Sequence, residues 1–63
     1  MKTEFDFGYE FAEFESGDGP VNLEQMVHSS RDIPDEDYKA MVRAGIENPD
    51  ARLYWKGYNS FFD

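Results

Sequence analysis

Residues 4–15 read Glu4-Phe5-Asp6-Phe7-Gly8-Tyr9-Glu10-Phe11-Ala12-Glu13-Phe14-Glu15, and the way this stretch folds decides the class of the chain. Phe5, Phe7, Tyr9 and Phe11 alternate with Glu4, Asp6, Gly8 and Glu10. A period of two, with one aromatic face and one acidic or glycine face, predicts a strand, and aromatic side chains favour strands. Helical spacing fits part of the same stretch, because Phe7, Phe11 and Phe14 stand at i, i+4 and i+7. In that reading Asp6 caps the start and Gly17 the end. The strict alternation favours strand over helix; Gly8 weakens both.

Beyond this stretch, Ser16-Gly17-Asp18-Gly19-Pro20 is a loop that separates the acidic aromatic segment from the helical part of the chain. Three short helices are expected after it, over about 22–29, 34–44 and 49–62. Asn22 would cap the first, which carries Leu23, Met26 and Val27 on one face. In the second, Asp32 precedes Pro34 at a cap-like position, and Asp35, Glu36 and Asp37 suit the positive end of the helix dipole. Tyr38, Met41 and Val42 form its apolar stripe, and Gly45 ends it. The third begins at Asn48-Pro49-Asp50, with Asn48 as cap and Pro49 in the first turn. It carries Ala51, Tyr54, Trp55, Tyr58, Phe61 and Phe62 on one broad stripe. A strand over 52–58 is the alternative. The expected fold is mainly α in a single domain, 1–63, or α+β if the N-terminal segment is a strand.

Fourteen Asp and Glu against six Lys and Arg leave 63 residues with a formal charge of -8. Acidity of this kind with few aromatics would point to a solvated tail, but 17% Phe, Trp and Tyr supply a core. A chain this short is marginally stable, and with no Cys it has neither disulfides nor thiolate metal sites. The charge argues against direct binding to nucleic acid or an anionic membrane. No stretch is apolar for the length of a membrane span, and Met1-Lys2-Thr3-Glu4, acidic at once and without an apolar run, is not expected to be a signal peptide. These features fit a cytoplasmic location, the host cytoplasm if a phage encodes the chain.

Little points to chemistry. His28 is the sole histidine, and Ser29 and Ser30 beside it lack the surroundings of a nucleophile. Asp32, Asp35, Glu36 and Asp37 do not follow a cation-loop pattern, nor does Asp18 between its glycines. Gly17-x-Gly19 is a turn rather than a phosphate loop. No catalytic residue, metal or cofactor is expected, and the chain is not expected to be an enzyme. Lys39, Arg43, Arg52 and Lys56 are expected to offset helix dipoles and pair with acids such as Asp35 and Glu36.

The acids themselves are more informative. Glu4, Asp6, Glu10, Glu13, Glu15 and Asp18 stand against Lys2 alone within residues 1–18. A strand ahead of two helices resembles the ribbon-helix-helix repressors, but Glu4, Asp6 and Glu10 occupy places where that family reads DNA with basic and polar residues. In size, acidity, absence of cysteine and aromatic content the chain resembles the small acidic inhibitors that bacteriophages encode against host defences, the anti-CRISPR and antirestriction DNA mimics. That resemblance implies a cofactor-free inhibitor, monomer or homodimer, that occupies the nucleic-acid site of a nuclease or surveillance complex. Glu4, Asp6, Glu10, Glu13, Glu15, Asp35, Glu36 and Asp37 would stand in for phosphates. Tyr54, Trp55 and Tyr58, expected to be exposed, would anchor the basic protein partner. The alternative is an adaptor subunit that binds a partner, or itself, through the aromatic stripe of residues 51–62.

Overall fold

The computed structural model describes residues 2–14, 19–23 and 33–63. Three helices lie within them: α1 (Glu4–Phe14), α2 (Asp35–Arg43) and α3 (Ala51–Phe61). The mainly helical expectation holds. The helix expected at 22–29 falls outside the described residues apart from Asn22 and Leu23.

The strand expected for the N-terminal segment is a helix, and with it the likeness to a ribbon-helix-helix order lapses. The helix starts with a reciprocal cap. Thr3 donates its backbone N–H (2.9 Å) and its hydroxyl (3.2 Å) to the Asp6 carboxylate, and Thr3 Oγ1 accepts from the Asp6 amide at 3.4 Å. Asp6 therefore acts from the third helical position, with Thr3 as the cap. Glu4 and Asp6 also lie where the dipole favours anions.

Helix geometry explains why the alternation deceives. At about 100° per residue, aromatics two apart split into two i, i+4 pairs, Phe5 with Tyr9 and Phe7 with Phe11. Gly8 and Ala12 lie between those pairs and are buried, whereas Asp6 and Glu13 are exposed on the far side. The small-residue strip is where α3 crosses. A Cβ on Gly8 would overlap the Tyr54 carbonyl oxygen and stand 2.7 Å from its carbon; one on Gly57 would do the same to Phe5, also 2.7 Å from the carbonyl carbon. Each helix thus presses a glycine against the other's backbone, closer than any side chain allows.

Flanking the crossing, the aromatics interlock. Tyr9 meets Phe61 edge-on at 5.7 Å, and Phe11 lies about 6 Å from Tyr54, Trp55 and Tyr58. Trp55 sits edge-on to Tyr54 (4.9 Å) and Tyr58 (5.1 Å). These offset and edge geometries add to the area they bury. Phe7, Ala12, Ile33, Met41, Tyr54, Trp55 and Tyr58 make the core.

The start of α3 lies slightly later than Asn48-Pro49 implies. Asp50 is the cap, its carboxylate accepting from the amides of Arg52 (2.9 Å) and Leu53 (3.3 Å). Asn48 instead turns the chain, with φ of 51°, a conformation Asn tolerates better than most residues. The Asp50 amide donates to Glu4 at 3.3 Å and links the starts of α1 and α3. Near the other end of α3, the Asn59 amide grips the backbone of Val21 twice. It accepts from the Val21 N–H and donates to its carbonyl, both at 2.8 Å, so residues 19–23 are held against α3.

In α2, Pro34 is the cap residue and lacks a side-chain bond to the helix. The Gly45 stop is a Schellman ending. Gly45, at φ of 95°, donates to Val42 O, and Ile46 donates to Met41 O at 2.9 Å. The buried stripe is rotated from the one expected: Met41 is fully buried, but Tyr38 and Val42 are exposed and Asp37 turns inward. The reason lies in the partner of Asp37. The buried Tyr54 hydroxyl donates to its carboxylate at 2.6 Å, and a buried hydroxyl is costly without an acceptor.

Candidate functional site

α1 and the beginning of α2 enclose a groove of about 500 Å³. Phe7 and Phe11 of α1 face Pro34 and Ala40 across it, so its floor is apolar, and Phe14 lies open at its edge. Its rim is acidic: Glu10 comes from α1, and Asp35, Glu36 and Asp37 from the first turn of α2. The pitch of α1 creates this groove. Phe7, Glu10, Phe11 and Phe14, at three- and four-residue spacing, share the side next to the Gly8–Ala12 strip. Burying that strip against α3 leaves this face open toward α2.

Among the described residues, one cation occupies the rim. Lys2 forms an ion pair with Glu10, and its Nζ lies 4.2 Å from the centroid of the Phe7 ring. Both side chains of the pair remain 44% exposed, so it adds little to stability. It is the one ion pair among the described residues. The expected pairing of Lys39, Arg43, Arg52 or Lys56 with Asp35 and Glu36 is therefore not present among them.

The acids singled out from the sequence divide into those with a structural task and those without. Glu4 accepts from the Asp50 amide, Asp6 closes the α1 cap, and Asp37 holds the Tyr54 hydroxyl. The Thr3 backbone N–H keeps the Asp6 carboxyl below the usual aspartate range. Glu13, Asp35 and Glu36 are exposed and have no side-chain partner among the described residues. Of the acids on the groove rim, Asp35 and Glu36 are thus the ones left for an outside group. Glu15, Asp18, Asp32 and His28 lie outside the described residues, and so do Ser29 and Ser30. Within the described residues, no group of three or more His, Cys, Asp and Glu is arranged to hold a metal ion.

The aromatic anchors are a correction. Tyr54, Trp55 and Tyr58 are exposed by 0%, 2% and 5%; they form the core under α1 rather than a surface for a partner. The middle of the 51–62 stripe is taken up by packing because the Gly8–Ala12 strip and Phe11 of α1 lie across it, leaving Ala51, Phe61 and Phe62 half-buried. Among the described residues, the exposed large apolar side chains are Phe5, Tyr9, Phe14, Tyr38 and Val42, with Phe14 the most open at 79%.

Burial, and then the hydrogen bond to Asp37, raise the Tyr54 phenol far above its ordinary value. The proton is retained in the folded state where an unfolded tyrosine, with a pKa of about 10, loses it. Stability from this group is therefore complete below about pH 10 and declines as pH rises above it. Tyr54→Phe should cost about 1–3 kcal/mol at neutral pH, since Asp37 loses its donor in a half-buried site. Urea unfolding at neutral and alkaline pH checks both points: the loss of stability above about pH 10 should be shallower in the variant.

Compared with known proteins, the chain matches no protein-family model, no curated protein sequence and no solved structure. Among the described residues, no helix is long and apolar enough to cross a membrane.

Proposed function

We propose that the chain is a non-enzymatic binding protein that docks an acidic face on a basic, nucleic-acid-binding protein and blocks it, in the manner of an anti-CRISPR or antirestriction inhibitor. The observation that carries this reading is the groove rim. Glu10 and the Asp35–Glu36–Asp37 triplet, far apart in the sequence, meet around one apolar floor, and Asp35 and Glu36 are free of ion pairs among the described residues. Uncommitted carboxylates beside exposed aromatic surface suit a cationic site whose own role is to hold phosphates. Phe14, open beside the rim, replaces the buried Tyr54, Trp55 and Tyr58 as the apolar contact.

Capture from a bacterial lysate tests the proposal. At low salt the immobilised protein should retain a basic nuclease or other nucleic-acid-binding protein, and at about 0.5 M salt it should release it. Asp35→Asn combined with Glu36→Gln should weaken the same complex about tenfold at low salt, because charge pairs at an interface govern encounter and register. The two residues have no other partner among those described, so the fold should survive the change. Salt-indifferent binding, or an unaltered affinity in the double variant, would refute the proposal.

A further inference from the structure

We propose that the groove between α1 and the first turn of α2 receives one lysine or arginine side chain from a basic partner segment, and that Lys2 is its resident competitor. This deepens the function proposed above and rests on it for the kind of partner, though not for the chemistry of the groove.

Lys2 shows what the groove holds. Its ammonium pairs with Glu10 and lies 4.2 Å from the Phe7 ring centroid. A cation over an aromatic face with a carboxylate alongside is a favourable setting for ammonium and guanidinium groups alike. The rest of the apolar lining, Phe11 and Ala40 with Phe14 at the open edge, suits the methylene stem that such side chains lay against hydrocarbon. Lys2 uses one rim carboxylate, and Asp35 and Glu36 face the same space without an ion pair among the described residues. Among the described residues, the groove therefore has charge left over after Lys2 is seated.

Lys2 also lies just ahead of α1, and its contact is half exposed. Exposed pairs of this kind are weak and easily displaced. An incoming cation that reaches Glu10, Asp35 and Glu36 together gains more than Lys2 forgoes. An anionic segment would meet a row of like charges and be repelled.

A capped pentapeptide with one central lysine between leucines is the probe, and its norleucine counterpart is the uncharged control. Amide shifts of the labelled protein should move at Phe7, Glu10, Phe14, Asp35 and Glu36 with the lysine peptide and stay unmoved with the control. Lys2→Ala should bind the lysine peptide about fivefold more tightly, the scale set by losing an exposed ion pair and an exposed cation–π contact. Lys56→Ala removes the same charge from α3, away from the groove, and should leave the affinity unchanged. Glu10→Gln should weaken binding in the presence or absence of Lys2.

Equal affinities for wild type and Lys2→Ala, or equal gains from Lys2→Ala and Lys56→Ala, would overturn the competitor role. Shifts spread evenly over Glu47, Asp50 and Asp63 would overturn the groove. If the peptide binds as described but no basic protein is captured from lysate, the groove chemistry stands and the inhibitor reading falls. If a basic protein is captured but the peptide moves no groove resonance, the groove assignment falls alone.

Discussion

Gly8→Ala and Gly57→Ala should each lower the melting temperature by about 8–16 °C, although alanine is the better helix former. Taken alone, replacing glycine inside a helix should gain about 1 kcal/mol. The crossing of α1 and α3 reverses the sign. A methyl at Gly8 overlaps the Tyr54 carbonyl, and one at Gly57 overlaps the Phe5 carbonyl. The atoms met are backbone, held in both helices, and cannot swing aside as a flexible side chain would. Relief requires the helices to separate, which also opens the contacts of Phe11 with Tyr54, Trp55 and Tyr58. Overpacking of this kind costs typically about 1–3 kcal/mol and sometimes more. With rigid backbone as the obstacle the cost lies at the upper end, about 3 kcal/mol, and the net loss of about 2 kcal/mol in so small a domain corresponds to that drop in melting temperature. Glu13→Ala, on the exposed face of α1, is the control and should stay within about 0.5 kcal/mol of wild type. Melting followed by circular dichroism decides; a Gly8→Ala protein as stable as wild type would mean that α1 and α3 do not cross at these glycines.

Trp55→Ala should leave no folded protein at room temperature. Trp55 is 2% exposed and contacts Phe11, Tyr54 and Tyr58 at ring separations of 6.1, 4.9 and 5.1 Å. Truncating a buried Trp costs about 3–5 kcal/mol, and a single core below about 70–80 residues rarely supplies more than about 3–5 kcal/mol in all. The helical circular dichroism signal should collapse. Phe14→Ala is the informative contrast. Its ring is 79% exposed, so its loss should barely alter the melt while weakening whatever occupies the groove. A folded Trp55→Ala protein that only fails to bind would return Trp55 to the role of a surface anchor.

The contrast between these two aromatics shows where sequence reading reaches its limit. The stripe of Ala51, Tyr54, Trp55, Tyr58, Phe61 and Phe62 is legible as one helix face, and α3 does present it. Its destination is not legible, because periodicity reveals that a face is apolar but not what covers it. The cover is α1, and α1 is hidden by its own composition. Phe5, Phe7, Tyr9 and Phe11 satisfy a strand period and two helical pairs at once, and aromatic propensity favours the wrong one. Gly8 is the discriminating residue. It is awkward in either local reading because its role is tertiary, at the contact with the backbone of α3.

The ends of α2 are easier. Pro34 and Gly45 act through their own backbone angles, so their signals are local, and the Schellman ending forms where the glycine stands. The start of α3 is displaced from Asn48-Pro49 because Asp50 offers a competing carboxylate two residues after Asn48. The acidic site is half legible. Glu10 and the run of Asp35, Glu36 and Asp37 stand out as separate clusters, but their meeting depends on how α1 lies against α2. The inward turn of Asp37 depends on the Tyr54 hydroxyl, and the seating of Lys2 on Phe7 leaves no signal beyond a lone basic residue in an acidic segment.

Amide shift mapping of the labelled protein with its captured basic partner tests the central claim most directly. Perturbations gathered at Glu10, Phe14, Asp35, Glu36 and Lys2 are the predicted result, with the resonances of the α3 residues Arg52 and Lys56 unmoved. Perturbations centred on Arg52 and Lys56, with the groove residues silent, would contradict it.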